Sequence, residues 1–315
     1  MASEFERIAL LQKWFQRDAG ERVALGIGDD AAVLNPSSRN GVWTVDSAVE
    51  GVHFSRAFMG LEDIGYRAFM AAASDVAAMG GRAVGALCAW VLPEALSDAE
   101  FEQLSRGVRE AADTCECAII GGNLARGREL SLTTTVLGEC HGPVALRSGA
   151  RVGDTLFVTG PLGAAALGLR ALQRGSTPDV RFEACRTRFL RPRARLDIAE
   201  KVAARARACI DVSDGLAQDL HHLCSASGVS AVVELDALPR PAGMAQLAQE
   251  LGVACEAMLL SGGEDYELLF TANQTRVPPE LGIPIGRIEA GDARITVLDT
   301  QGNPVALPAG FDHFR

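Results

Sequence analysis

The stretch "GIGDDAAVL", Gly26–Leu34, supports two readings that lead to different folds. Its first six residues match the Gly-x-Gly-x-x-Gly/Ala dinucleotide fingerprint, and Asp46 lies about twenty residues on, where an acidic ribose contact belongs. That reading needs a helix next, with its N-terminus open to a pyrophosphate. Here "AAVLNPSSRNG" breaks within a few residues, and Asp29 and Asp30 occupy the place of closest approach to phosphate. The dinucleotide fold is therefore set aside. Two adjacent carboxylates at the edge of an apolar run remain to be explained. Like charges repel and resist burial, so a cation belongs beside them.

Outward from this stretch, residues 5–16 read as an amphipathic helix, and "VALGI" and "GVWTVDS" read as strands. Residues 61–79 place Ile64, Ala68, Ala71, Ala72, Val76 and Met79 at helical spacing, and Gly80-Gly81 ends that helix. "AVGALCAWVLP" reads as a buried strand, and Ser97-Asp98-Ala99-Glu100 as a capping box that opens another helix. "CAII" and "LSLTTTVLGEC" are strands. Strands and helices mix without strict alternation, which favours an α+β layered domain over a doubly wound one.

The 315 residues suit two domains, with the boundary at the turn-rich "CHGPVALRSGARVGD": 1–140 and 141–315. In the second, "TLFVTG", "ACIDV", "VSAVVEL", "YELLFTA", "GIPIGRIEA" and "RITVLD" are expected strands. "PLGAAALGLRAL", 182–190, 193–206, "GLAQDLHHLCSASG" and 241–251 are expected helices.

The net charge of −10 disfavours nucleic acid and anionic membranes as partners. Lys13 and Lys201 are the only lysines, and neither lies in a P-loop. The eight cysteines have no disulfide or common zinc spacing; Cys115, Cys117 and His141 come nearest to one. Buried thiols, the absence of a signal peptide and the absence of a bilayer-length apolar run make the cytoplasm the expected location.

The informative residues are acidic. Asp30 follows one strand and Asp46 ends another, in "WTVDSAVEGVHF". Asp75 lies within an alanine-rich helix, so it needs a partner: an arginine, with Arg67 and Arg82 nearby in sequence, or a metal ion. Asp211 and Asp214 bracket Ser213 where a strand meets a helix; one of them, or Ser213, could be a plain N-cap. Oxygen ligands at several element ends suit magnesium and a phosphorylated ligand. The helix start at "IDVSDG" offers amide N–H groups to phosphate. "GGN", Gly121–Asn123, reads by itself as a turn.

Taken together, these motifs resemble the thiamine-monophosphate kinase family, a branch of the superfamily of aminoimidazole ribonucleotide synthetase and selenophosphate synthetase. The resemblance runs nearly end to end: "LGIGDDAAVL", "TVDSAVEGVHF", "SDVAAMGG", "IIGGN", "LRSGARVGD", "VTGPLGAAALGL", "CIDVSDGLAQDL", "SGGEDYELLF" and "GFDHF". It implies an α+β fold of two domains and a homodimer whose N-terminal sheets pair into a barrel. The 1–140 domain would bind ATP and magnesium and dimerise, and the layered 141–315 domain would complete the nucleotide and substrate site. The implied reaction passes the γ-phosphoryl of ATP to thiamine monophosphate. The resemblance implies that Asp30, Asp46, Asp75, Asp211 and Asp214 are catalytic as ligands of several Mg2+ ions, with Thr44, Val45 and Asn123 as further ligands. Gly122, Asn123, Arg147 and Ser213 would contact ATP. His53, Glu264 and Phe311 would contact thiamine monophosphate. His53 could instead cap its own loop, and Phe311 could be a core residue.

The sequence departs from the family where Gly121-Gly122-Asn123-Leu124 replaces the usual Gly-Gly-Asp-Thr. Asparagine offers an oxygen without charge, so a higher magnesium requirement is expected. The aromatic residue often found upstream, near adenine, is replaced by "DTCEC". A related synthetase, a nucleotide-binding homologue without turnover, and a nicotinamide oxidoreductase are the competing readings.

Overall fold

The computed structural model describes residues 4–15, 22–25, 27, 32–175 and 180–306. The chain divides into two compact units, residues 1–76 with 81–141 and residues 77–80 with 142–315.

The first unit contains α1 (Glu4–Trp14), β1 (Val23–Leu25), β2 (Val33–Leu34), β3 (Asn40–Val49), α2 (Leu61–Ala78, whose last two residues count with the second unit), β4 (Arg82–Pro93), α3 (Asp98–Thr114), β5 (Ala118–Gly127) and β6 (Ser131–Cys140). Leu25 of β1 lies opposite Val33 of β2 in an antiparallel pair. The deciding stretch thus leads from a strand into another strand, which removes the dinucleotide fold.

Strands β3, β6, β4 and β5 form one sheet in the order β3-β6-β4-β5, with only the β4–β5 pair parallel. From Leu87 to Trp90, β4 alternates exposed and buried residues, as a sheet covered on one face must. Trp90 meets Phe101 of α3 edge-on, with centroids 5.8 Å apart. The capping box forms as expected, Ser97 accepting from the Glu100 N–H and Glu100 reaching back to Ser97. Helices α2 and α3 approach closely at Gly65 and Gly107, where an added Cβ would strike the other helix's backbone. The opposite face is bare in this chain: Trp43, Val45 and Leu87 are 65%, 64% and 38% exposed.

The second unit contains β7 (Thr155–Val158), α4 (Ala164–Gln173), α5 (Val180–Leu190), α6 (Ala199–Ala203), β8 (Ala208–Asp211), α7 (Leu216–Ser227), β9 (Ser230–Glu234), α8 (Met244–Leu251), α9 (Cys255–Ser261), β10 (Leu268–Ala272), β11 (Ile283–Glu289), β12 (Ile295–Leu298) and β13 (Pro304–Val305). Seven strands pair in the order β13-β12-β9-β11-β7-β10-β8. All neighbours are antiparallel except β12 and β9.

This sheet is buried on both faces. Leu156, Val158, Ile210 and Leu269 join one core, with Leu220 and Leu223 of α7 and Leu247 of α8. Phe157, Cys209, Leu268 and Phe270 join the other, with Val202 and Ala203 of α6. Phe157 and Phe270 stack with centroids 5.2 Å apart.

Three expectations change. "GGN" lies within β5 and is not a turn. The expected 193–206 helix shortens to Ala199–Ala203, because Arg195 turns inward to a buried carboxylate. Residues 255–261 form α9, a helix too short to show helical periodicity.

Candidate functional site

In the first unit, β3 alternates, so Thr44 and Asp46 share the face that α2 covers. Thr44 Oγ1 donates to Asp75 Oδ2 at 2.5 Å. Asp46 is exposed, and its Oδ1 accepts the Ser47 N–H at 2.7 Å. Val45 faces the bare side, so only its backbone carbonyl can serve as a ligand. The donors are a hydroxyl, two carboxylates and a carbonyl, an oxygen-only set that suits a hard cation.

Asn123 is not beside them. Register sets Asp46 opposite Thr134, Thr134 opposite Cys88, and Cys88 opposite Gly122. The next row is Ser47, Thr133, Ala89 and Asn123, where Ser47 Oγ meets Thr133 Oγ1 at 2.9 Å. Successive rows point to opposite faces, so Asn123 lies on the bare face at the far edge strand. Three strand spacings, roughly 14 Å, separate it from β3. Gly122 packs so closely on the Cys88 backbone that any side chain there would clash.

His53 Nδ1 accepts the Val49 N–H at 3.1 Å, which places the ring proton of the neutral imidazole on Nε2. This bond, between a loop residue and the end of β3, fixes the ring.

In the second unit, Asp211 ends β8 and is buried. The next turn does not use Ser213 or Asp214 as N-cap. Gly215 holds that position at φ 112°, and Asp219 reaches back from the first turn of α7. Asp219 Oδ2 accepts the N–H groups of Ser213, Asp214 and Gly215 at 3.0, 3.1 and 3.1 Å. The acceptor held by these amides is the protein's own carboxyl group, so they are not open to phosphate. Burial, with Asp211 and Asp214 nearby, pushes the Asp219 carboxyl up to about 8 despite those bonds.

The "SGGEDYEL" segment lies against this turn. Glu264 N–H donates to Ser213 O at 2.7 Å and Tyr266 N–H to Val212 O at 2.9 Å, while Val212 N–H donates to Glu267 O at 2.8 Å. Gly263 is needed because a Cβ there would strike the Ser213 carbonyl. Glu264 and Tyr266 adopt left-handed backbone, at φ 70° and 51°. Arg147 is exposed, and its carbonyl accepts Ser227 Oγ at 3.1 Å.

Of two further carboxylates here, Glu267 went unnoticed in the sequence, while Asp265 stands beside Glu264 among its clustered acids. Asp265 is fully buried and accepts the N–H groups of Gly163 and Ala165 at the start of α4, at 2.5 and 3.0 Å. Glu267 is buried between Arg188 and Arg195. The available signal was two acids at alternating positions entering the largely apolar strand "LLFTA", both of which must be partnered.

Among the described residues, no group of three or more His, Cys, Asp or Glu side chains stands arranged to hold a metal. Asp29, Asp30 and Phe311 lie outside the described residues. All eight cysteines are free, six of them buried, and burial pushes Cys88 up to about 12.

Residues 28–140 match the family described as AIR synthase related protein, N-terminal domain, and residues 151–278 match the corresponding C-terminal domain. The thiamine-monophosphate kinase of Aquifex aeolicus is 35% identical over 320 residues, covering 99% of this chain and 98% of that one. The thiamine-monophosphate kinase of Salmonella typhimurium is 36% identical over 321 residues, covering 97% of each. A solved structure of AaThiL complexed with AMPPCP and TMP superposes with a TM-score of 0.83 at 34% identity, covering 99% of this chain and 97% of that one. Two matched domains and similarity along almost the whole length place this chain in the thiamine-monophosphate kinase family.

Proposed function

We propose that this chain transfers the γ-phosphoryl group of ATP to the phosphate of thiamine monophosphate, releasing ADP and thiamine diphosphate. The observation that carries this reading is the full-length likeness to a kinase structure complexed with AMPPCP and TMP.

The chemistry fits the residues. The attacking group is a phosphate oxygen, and phosphate monoesters lose their second proton near pH ~6. At neutral pH the nucleophile is already anionic, so no strong base is required. The barrier lies in aligning two polyanions, which calls for positioning and charge neutralisation. Magnesium supplies that positive charge when bound. Asp30, Thr44, Val45, Asp46, Asp75, Asp211 and Asp214 are the residues assigned to hold several such ions, and Asn123, on the other face of the sheet, is assigned as a ligand apart from Thr44, Asp46 and Asp75. The oxygen-only donors at Thr44, Asp46 and Asp75 support that assignment.

Gly122, Asn123, Arg147 and Ser213 are assigned to ATP. Gly122 lets a ligand approach the backbone of β5, and Arg147 offers a planar cation to phosphate. His53, Glu264 and Phe311 are assigned to thiamine monophosphate. The anchored ring of His53 keeps its Nε2–H as a donor in a fixed direction, and Phe311 would offer an aromatic face to the cationic thiazolium.

We further propose a homodimer. Trp43, Val45 and Leu87 form an apolar face that a second copy of the sheet would cover. A monomer in sedimentation at micromolar concentration would remove that assignment. The eight free cysteines suit a reducing cytoplasm, and no helix among the described residues is long and apolar enough to cross a membrane.

Incubation with MgATP and thiamine monophosphate, followed by chromatography, tests the activity. Thiamine diphosphate and ADP in equal amounts are expected. Nucleotide binding without turnover, or ADP release only with another acceptor, would overturn the reading.

A further inference from the structure

Glu264 has a left-handed backbone, and so has Tyr266 two residues on. Such a non-glycine residue is strained and persists only where its surroundings over-determine it. Under the proposed function Glu264 contacts thiamine monophosphate, and the role inferred below for its neighbours rests on that contact. The groups that hold this segment in place therefore belong to the construction of the acceptor site.

The restraints come from the alternate residues. The Asp265 carboxylate is fixed on the start of α4, as described above. Glu267, with a side chain only 3% exposed, accepts from Thr159 Oγ1 at 2.6 Å and from Arg195 at 2.5 Å, and its other oxygen meets Arg188. Arg188 also donates to the Asp265 carbonyl at 2.7 Å, and Arg195 to the Thr159 carbonyl at 3.2 Å. Thr159 Oγ1 accepts the Leu268 N–H at 2.9 Å. One carboxylate thus ties α5, the turn before α6, the end of β7 and the start of β10 into a single knot. Buried ion pairs of this kind add little net stability over apolar packing, but breaking one partner away is costly.

We propose that Glu267, clamped by Arg188 and Arg195, is a positioning residue for the acceptor site: it fixes the 262–266 segment so that Glu264 is presented to thiamine monophosphate in one conformation. The clamp acts through backbone geometry and touches no substrate itself.

The test compares wild type, Glu267→Gln, Arg195→Lys and Glu264→Gln in the full chain. Hydrogen exchange at the Glu264 and Tyr266 amides reads the segment directly, and KM for each substrate reads its consequence. In Glu267→Gln both amides are expected to exchange about tenfold faster while those of α7 stay protected. KM for thiamine monophosphate is expected to rise about tenfold, with KM for ATP held within about twofold. Arg195→Lys keeps a charge but loses the planar fork, so it should show the same split, smaller; it also serves if Glu267→Gln does not fold.

Unchanged exchange at the two amides overturns the proposal. So does faster exchange across the whole unit with both KM values moving together, since that is loss of stability alone. Selective loosening with no change in the acceptor KM, while Glu264→Gln raises it, also overturns it. If Glu264→Gln leaves the acceptor KM unmoved, the assignment of Glu264 fails first, and the acceptor role of the clamp falls with it.

Discussion

Three carboxylates of the second unit and two of the first sit in opposite surroundings. In the second unit, Asp219, Asp265 and Glu267 are buried and laden with donors: three backbone amides, two backbone amides, and two guanidinium groups with a hydroxyl. In the first unit, Asp46 is exposed and accepts a neighbouring amide, and half-buried Asp75 accepts the Thr44 hydroxyl. A buried carboxyl group laden with protein donors is held in place by them and cannot turn toward a cation without breaking those bonds, so its job is to hold backbone. An exposed or half-buried one can turn an oxygen to an ion at little cost in packing. The acidic residues of one chain thus divide by what surrounds them, not by how they look in sequence.

The sharpest way to break this comparison is to neutralise one member of each kind. Asp75→Asn keeps an acceptor for Thr44 Oγ1 while removing charge from the proposed magnesium site. We expect kcat to fall on the order of 10³-fold, which corresponds to ~4 kcal/mol of lost transition-state stabilisation, with the melting temperature nearly unchanged. Asp219→Asn should lower the melting temperature first, since an amide cannot satisfy three N–H donors as a carboxylate does. The loss is expected at about 1–3 kcal/mol. Steady-state kinetics beside thermal unfolding decides it. A fold lost in Asp75→Asn, or a full melting temperature with lost turnover in Asp219→Asn, would reverse the assignment.

Much of the frame was legible, for physical reasons. Helix α2 announces itself through apolar residues at helical spacing and its glycine stop, and α3 through its capping box. Strand β4 does so through an apolar run bounded by a turn and a proline. Short elements were not legible: α9 is too brief for a period to register, and α6 lost its first half to Arg195. The site was read in part. Asp46 and Asp75 stand out because a carboxylate at a strand end or within an alanine-rich helix violates the local pattern. Glu267 does not stand out, and Asp265 stands out beside Glu264 without showing its structural role, since their partners, Arg188 and Arg195 among them, come from distant segments. Nothing local told Asp219, whose Oδ2 accepts three amides, from Asp214, five residues before it.

A smaller effect is expected at Asn123, which the sheet register places on the face opposite Asp46. If Asn123 meets magnesium, restoring a charged oxygen with Asn123→Asp should lower the magnesium concentration for half-maximal rate several-fold, since affinity at such sites follows ligand charge. The residue is exposed, so stability should not change. Identical magnesium titrations for the two proteins would show that Asn123 serves the nucleotide alone or neither.

The last effect concerns proton linkage at a donor-laden carboxylate. Burial pushes Asp265 up to about 7, against the pull of the Ala165 and Gly163 amides and of Arg188, with Glu267 adding to the rise. The unfolded chain loses this proton near pH ~4. Between those limits the native state holds a proton that the unfolded state has released. Stability from this group is therefore fully present below pH ~4 and is lost as pH rises through about 7. Asp265→Asn removes the titration but keeps an acceptor for one of the two amides. Subtracting its unfolding free energy from that of wild type at each pH cancels the other groups, Asp219 included. The difference should fall as pH rises from 4 to 7, approaching about 1.4 kcal/mol per unit at most, and level off above. A flat difference would mean that Asp265 is charged throughout, with the two amides and Arg188 outweighing burial. A difference that rises with pH would place its folded value below the ordinary carboxylate range.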